Sequence, residues 1–276
     1  MFGFSKNHKN NEVQVVMGLL IDNNGIPISY TLFPGNTMDQ KTLQTAVREL
    51  KVRYGLDKIV IVADRGLNGR ENLEYLLQEG HDFVFAYTLK RASDELKAMA
   101  LAEDGWTKHR YENTGETDVL SWKGKMLDHQ LSVKIPLSEE EQLALPKRRG
   151  RPQKYRTTEI PVKIHLTWSR RRAEKDLADR ERMLTGLKKV LARPSGLTQS
   201  LKRGRNHYIA VDMDTENAHL DEDKILEQAQ FDGYYAIITN DVTYTTSDVE
   251  ELYGGLWEIE EGFRIMKTDL QASPVF

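Results

Sequence analysis

Residues 13 to 86 constrain the fold more than any other part of the chain, because their hydrophobic period switches repeatedly between the values that strands and helices impose. Val13 to Ile21 is a dense apolar run, Asp22-Asn23-Asn24-Gly25 is turn chemistry, and Ile28 to Phe33 resumes with alternation. This pattern predicts a β-hairpin. Pro34-Gly35-Asn36 breaks it, and Leu43, Ala46, Val47 and Leu50 then recur at helical spacing. Ile59 to Ala63 is short, apolar and largely β-branched, which predicts a fully buried strand. A helix from about Asn72 to Gln78, stopped near Gly80, leads to a strand at Phe83 to Ala86. Hairpin, helix, strand, helix and strand in that order describe an α/β layered fold.

The character changes from about Lys90 to Tyr208, where short strand-like pieces such as Ile160 to Trp168 alternate with turns. A charged helix from Ala173 to about Leu191 has Leu177, Leu184, Leu187 and Leu191 as its expected apolar contacts. The earlier pattern then returns, with a helix near Asp223 to Gln230, a strand at Tyr234 to Thr239, and one final helix from about Ser247 to Asp269. The expected organisation is a core whose first part is residues 1–89, a β-rich basic insertion at 90–208, and the second part of the core at 209–276.

Charge is unevenly placed. Residues 147–205 hold 19 of the 39 Lys and Arg but 5 of the 42 Asp and Glu, a net +14 against −17 for the remainder. A basic block in an acidic chain suits an acidic polymer, nucleic acid first, although a charge run also serves as a solvated face. Within it, Lys147-Arg148-Arg149-Gly150-Arg151-Pro152 resembles an AT-hook, whose extended Gly-Arg-Pro core lies in a narrow A·T minor groove while flanking cations meet phosphates. With no cysteine, disulfides and thiolate chemistry are excluded, and any metal must sit on oxygen or imidazole ligands. No apolar run is long enough to span a membrane, and MFGFSKNHKNNE lacks the apolar region of a signal peptide, so the expected location is the cytoplasm.

The final helix carries two stripes. Leu256, Ile259, Phe263, Met266 and Leu270 form an apolar one, and Tyr253, Trp257, Glu260, Arg264 and Lys267 form a second about a quarter-turn away. An ordinary amphipathic helix with polar edges has the same pattern. Trp257 is expected in the core, with stacking on a flipped base as the alternative. Asp64 directly follows the Ile59 to Ala63 strand, where open α/β sheets place reactive groups, although Asp before Arg-Gly is also common turn chemistry. Two carboxylates converging from a strand end and a helix would form an oxygen-ligand site for a divalent cation.

The segment Tyr253 to Lys267 resembles the Y-x2-R-x3-E-x6-K signature of bacterial DDE transposases of the insertion-sequence-4 type, with Tyr253, Glu260 and Lys267 matching and Leu256 standing at the arginine position. Ala63 to Gly66, Gly18 to Asp22, Leu32 to Asn36, the Arg-Ala-Glu-Lys-Asp run and Phe231 to Tyr235 are similar to segments of the same proteins. The resemblance implies an RNase H-like, retroviral-integrase-like mixed sheet with a β-rich basic insertion, and a D-D-E triad binding Mg²⁺ or Mn²⁺ for DNA strand cleavage and strand transfer at insertion-sequence ends. Asp64 would be the second acid and Glu260 the third, both metal ligands. Arg264, Lys267 and Tyr253 would contact DNA, as would Lys147, Arg148, Arg149 and Arg151. DNA ends and target DNA are the implied partners, no membrane is involved, and the intact enzyme would be a homodimer.

The resemblance implies that the first acid lies on a strand before Phe4-Ser5-Lys6, and so upstream of Met1. Asp22 lies in the hairpin turn, Asp39 starts a helix and Asp57 precedes its strand, so none of them replaces it. The expectation is a catalytically incomplete chain, from a decayed gene or a misplaced start, with an unpaired hairpin edge and a poorly docked final helix. The competing readings are a non-enzymatic DNA-binding remnant and an RNase H-like nuclease.

Overall fold

The computed structural model describes residues 15–21, 27–34, 36–37, 39–63, 66–115, 117–144, 153–192, 208–211 and 218–269. The chain divides into two compact units. One comprises Met1–Tyr87, Asp128–Ile164 and Ile237–Phe276, and the other Thr88–Leu127 and His165–Ala236.

In the first unit, β1 (Val15–Ile21) and β2 (Pro27–Pro34) pair antiparallel, with Val15 opposite Pro34 and Leu19 opposite Tyr30. The hairpin expected from the sequence is present, while its turn lies outside the described residues. Helix α1 (Asp39–Tyr54) lies against β2, where Thr31 Oγ1 donates to Glu49 Oε2 at 2.8 Å and Arg53 donates to Ser29. Leu43 and Val47 on the apolar face of α1 are buried. Strand β3 (Val60–Ala63) runs parallel to β4 (Asp82–Tyr87), and α2 (Arg70–Gln78) connects them. Gly80, at φ 73°, closes α2 in the left-handed conformation that glycine adopts without penalty.

Strand β4 is buried from Asp82 through Ala86, as a run of apolar residues flanked on both sides should be. Strand β3 is not. Val60 is 36% exposed and Ile61 and Val62 are half-buried, which corrects the expectation of full burial. The cause is position, because β3 ends the strand order and, among the described residues, no strand pairs with its other edge; β1 and β2 form a two-stranded sheet of their own. Beyond β4, the order continues with β10 (Tyr234–Thr239), β7 (Tyr155–Ser169) and β6 (Thr117–Pro136), with the short α4 (Glu139–Ala144) between β6 and β7 in sequence. These three strands each contribute one part of their length to each unit. The chain then forms α7 (Thr246–Gly254) and α8 (Leu256–Thr268). The single final helix expected from the sequence is therefore broken at Gly254-Gly255, where two glycines lower helical stability.

In the second unit, β5 (Lys108–Thr114) follows β6 at the end of the sheet, joined to it by a tight turn with Gly115 at φ 77°. A 3-10 turn (Leu89–Arg91) and α3 (Asp94–Leu101) precede it. Helix α5 (Arg170–Leu191) packs Leu187, Met183, Leu184 and Leu191 with Tyr208, with Ile209 of β8 (Ile209–Val211), with Ala218 and Leu220 of β9 (Ala218–Leu220), and with Ile225 of α6 (Glu222–Ala229). Leu177 was expected in the same role but is 46% exposed. It shares the helix face but lies two turns before Leu184, outside the cluster that covers the C-terminal half.

The Arg-Ala-Glu-Lys-Asp and Phe-Asp-Gly-Tyr-Tyr segments meet in a clamp. Arg180 pairs with Asp232, their side chains only 11% and 13% exposed, while the Gly233 N–H donates to Asp176 Oδ2 at 3.0 Å. Trp168 Nε1 donates to the Asp232 carbonyl at 3.1 Å. Lys125, almost fully buried, donates to the carbonyls of Met99, Ala102 and Asp104 at 2.7, 2.9 and 3.3 Å. An ammonium there satisfies the orphan carbonyls where α3 ends.

Candidate active site

Asp64 lies outside the described residues, but the elements on either side of it are well defined. Ala63, the last residue of β3, is buried opposite Phe85 of β4. After Asp64 the chain is tied down by two asparagines: Asn68 Nδ2 donates to the Ala86 carbonyl at 2.6 Å, and the buried Asn72 donates to the Leu67 carbonyl at 2.9 Å. The first pins the turn to the C-terminal end of β4, and the second ties the turn to the start of α2. Sequence reasoning passed over them. The available signal was two asparagines flanking a helix start just after Asp-Arg-Gly, where asparagine side chains commonly bond nearby backbone.

The chain enters α7, the helix before the Glu260-bearing α8, from the opposite end of the same strands. The Asn240 carboxamide accepts from the Phe83 N–H at 2.8 Å and donates to the His81 carbonyl and to Asp82 Oδ1, both at 3.2 Å. Lys58 bonds Asp82 Oδ2 at 2.6 Å, and this carboxylate holds the Lys58 ammonium above its usual pKa. Helix α7 starts a few residues later with a capping box, in which Thr245 and Asp248 satisfy each other's backbone N–H groups. It packs on β3 and β4, with Val249 fully buried.

Of the residues on the Tyr253 to Lys267 stripe, Tyr253 is half-buried, while Trp257, Glu260 and Arg264 are exposed. Trp257 is 64% exposed, so its expected core position is corrected. With Glu260 and Arg264 beside it, its stripe is turned to solvent. Leu256 at the arginine position is half-buried. Glu260 has no ion-pair partner among the described residues. Arg264 instead donates through Nε to Glu261 at 2.8 Å, and that guanidinium holds the Glu261 carboxyl below its ordinary pKa. Lys267 stands in the last turn of α8, three residues after Arg264. Among the described residues no three His, Asp or Glu side chains form a metal cluster.

Lys147, Arg148, Arg149 and Arg151 lie outside the described residues. Part of the remaining basic block is committed internally. Arg170 pairs with Glu174, Arg172 with Asp176 and Arg182 with Asp179 along α5, and Arg172 also lies 4.5 Å from the Tyr235 ring centre.

The sequence matches the family described as Transposase DDE domain across residues 3–274. The chain belongs to the DDE transposase family. The match takes in both Asp64 and the Glu260 helix, and the mixed α/β architecture fits a DDE transposase fold. Such domains generally use divalent metal ions, act on DNA and serve transposition, a form of recombination. No curated protein matches the sequence. No helix among the described residues is long and apolar enough to cross a membrane.

Proposed function

We propose that this DDE domain is the catalytic part of an insertion-sequence-4-type transposase with an RNase H-like core and a basic insertion, performing DNA strand cleavage and strand transfer at element ends. Asp64 and Glu260 would act as the second and third acids. One observation carries this reading: α8, which bears Glu260, and β3, which ends just before Asp64, belong to one compact unit. The chain leaves Asn240 at the N-terminal ends of β3 and β4, and α7 packs on both strands.

The donor set fits a hard divalent cation, since both groups are carboxylates and Glu260 is exposed without an ion-pair partner among the described residues. Asp64 and Glu260 would hold such a cation, and the chemistry supplied there would be charge neutralisation at a phosphodiester and acidification of the attacking hydroxyl. The remaining work falls to the chain. Lys267 and Arg264 would grip backbone phosphates, the Arg264–Glu261 pair being exposed and so able to exchange one anion for another. Tyr253 would lie against a terminal phosphate, and the exposed Trp257 offers an aromatic face to an unstacked base. Asn68 and Asn72 hold the turn that positions Asp64.

A second reading is favoured by the edge position of β3. The strand that the resemblance expects to carry the first acid is not formed by any described residue. On that reading this chain alone binds DNA without cutting it. The test is nicking of supercoiled DNA with Mg²⁺ or Mn²⁺. The expected result is no nicking by the 276-residue chain, and cleavage with joining once an in-frame upstream strand bearing an Asp is added. Cleavage by the extended chain should vanish in Glu260→Gln. Nicking without any joining would favour a nuclease, and activity that survives Glu260→Gln would end the assignment.

A further inference from the structure

The second unit presents a sheet edge whose sequence is complementary to itself. Among the described residues, β5 is the last strand in the sheet order, so its outer edge has no strand partner, and all seven of its residues are exposed. The β-bulge in the β5–β6 pair is carried by β6, because Arg110 opposes Trp122 while Tyr111 opposes Leu120, leaving Ser121 as the extra residue. Strand β5 itself stays regular.

The direction of its backbone groups can be assigned. The Arg110 carbonyl accepts from Ser121 Oγ at 3.1 Å and so faces β6. By strand alternation, the N–H and C=O groups of His109, Tyr111 and Asn113 face outward. An outer edge of this kind is a template for another strand.

We propose that this edge is a self-association surface, on which β5 of a second copy of this chain pairs antiparallel about a two-fold axis at Tyr111. In that register the two Tyr111 residues exchange both backbone hydrogen bonds, and their rings lie side by side. Arg110 of each copy stands opposite Glu112 of the other, His109 opposite Asn113, and Lys108 opposite Thr114. Two alternatives conflict with the charge order. A two-fold axis at His109 opposes Lys108 to Arg110, and a parallel pairing in register stacks each charge on its own kind. A self-complementary patch is what a closed two-fold dimer requires.

Two side chains are already held for this pairing. Arg110 lies over the Trp122 ring at 5.5 Å, and Tyr111, 57% exposed, is stacked with His109 at 6.4 Å. The charges that would deter an unrelated strand select a second copy. One seven-residue strand pair is small beside the ~1,200–2,000 Å² of a stable interface, so the dimer is weak and reversible.

Sedimentation velocity on the full chain over about 1–200 μM tests this, a range that brackets weak association. The expected result is a concentration-dependent monomer–dimer equilibrium. Arg110→Glu places two Glu–Glu pairs at the axis and should weaken dimerisation at least ~10-fold, a step of about 1.4 kcal/mol. The double change Arg110→Glu with Glu112→Arg restores both pairs and should bring the dimer back. Because the double variant also loses the Arg110–Trp122 contact, rescue separates pairing from general damage. A chain monomeric throughout, a dimer indifferent to Arg110→Glu, or a loss that the second change fails to rescue would each overturn the proposal.

Discussion

Replacing Gly233 with alanine should destabilise the second unit far more than an ordinary glycine substitution. Gly233 sits at φ 85° in the clamp between α5 and β10, where an added Cβ would lie 2.6 Å from Trp168 Nε1, 2.8 Å from Ala173 Cβ and 2.9 Å from the Ser169 carbonyl oxygen. Two effects add. The left-handed backbone costs a non-glycine residue about 1–2 kcal/mol. Overpacking costs about 1–3 kcal/mol more, and rotamer change cannot relieve it because two of the three obstacles are a backbone oxygen and a helix Cβ. The expected total is about 2–5 kcal/mol. Gly115 provides the control within the same unit, since it has φ 77° but nothing within 4 Å of its added Cβ. Gly115→Ala should therefore cost only the backbone share, about 1–2 kcal/mol. Urea unfolding followed by tryptophan fluorescence reads both, because Trp168 lies within the clamp. Equal losses in the two variants would refute the packing argument.

Two further outcomes follow. His81 is buried, neither ring nitrogen has a hydrogen-bond partner among the described residues, and burial first, then Lys51, holds its pKa below the ordinary 6.5. The unfolded chain therefore binds the proton more readily, so stability is complete above about pH 6.5 and falls as pH drops below it. Melting temperature measured from pH 8 to about 5 should fall more steeply in the native chain than in His81→Phe, and parallel curves would contradict this. Replacing Lys147, Arg148, Arg149 and Arg151 together with Gln should weaken DNA binding without regard to sequence and lower the slope of log K against log salt by up to about 3–4, near 0.9 per lost phosphate contact. An unchanged slope would move the DNA surface elsewhere.

Much of the fold was legible because its elements obey one period each. Tyr234 to Thr239 is the strand the sequence predicts, and the burial of Leu43 and Val47 follows from helical spacing. What could not be read depended on neighbours. Val60 looks like a core residue until the strand order leaves β3 at an edge. Strand β5, Lys-His-Arg-Tyr-Glu-Asn-Thr, has no apolar alternation to announce it, and only its pairing with β6 makes it a strand. Lys125 reads as a surface lysine, yet its three carbonyl partners lie more than 20 residues away in sequence. The same limit applied to the candidate site. Asp64 and Glu260 stood out because a carboxylate after a strand and one on an amphipathic stripe are recognisable locally. Asn68 and Asn72 did not, since their function lies in carbonyls of Ala86 and Leu67 that the fold brings to them. Two glycines at the α7–α8 junction were visible, but the apolar rhythm on both sides argued for a continuous helix.

The central claim is that Asp64 and Glu260 share one divalent cation, and iron-directed backbone cleavage tests it most directly. With Fe²⁺ in place of Mg²⁺, ascorbate and peroxide generate hydroxyl radicals at the bound metal, which cut the chain nearby. The account predicts two sets of cuts, one around Asp64 and one around Glu260, both suppressed by Asp64→Asn and both by Glu260→Gln. Cuts confined to other positions, or cuts at one acid that persist when the other is neutralised, would contradict it.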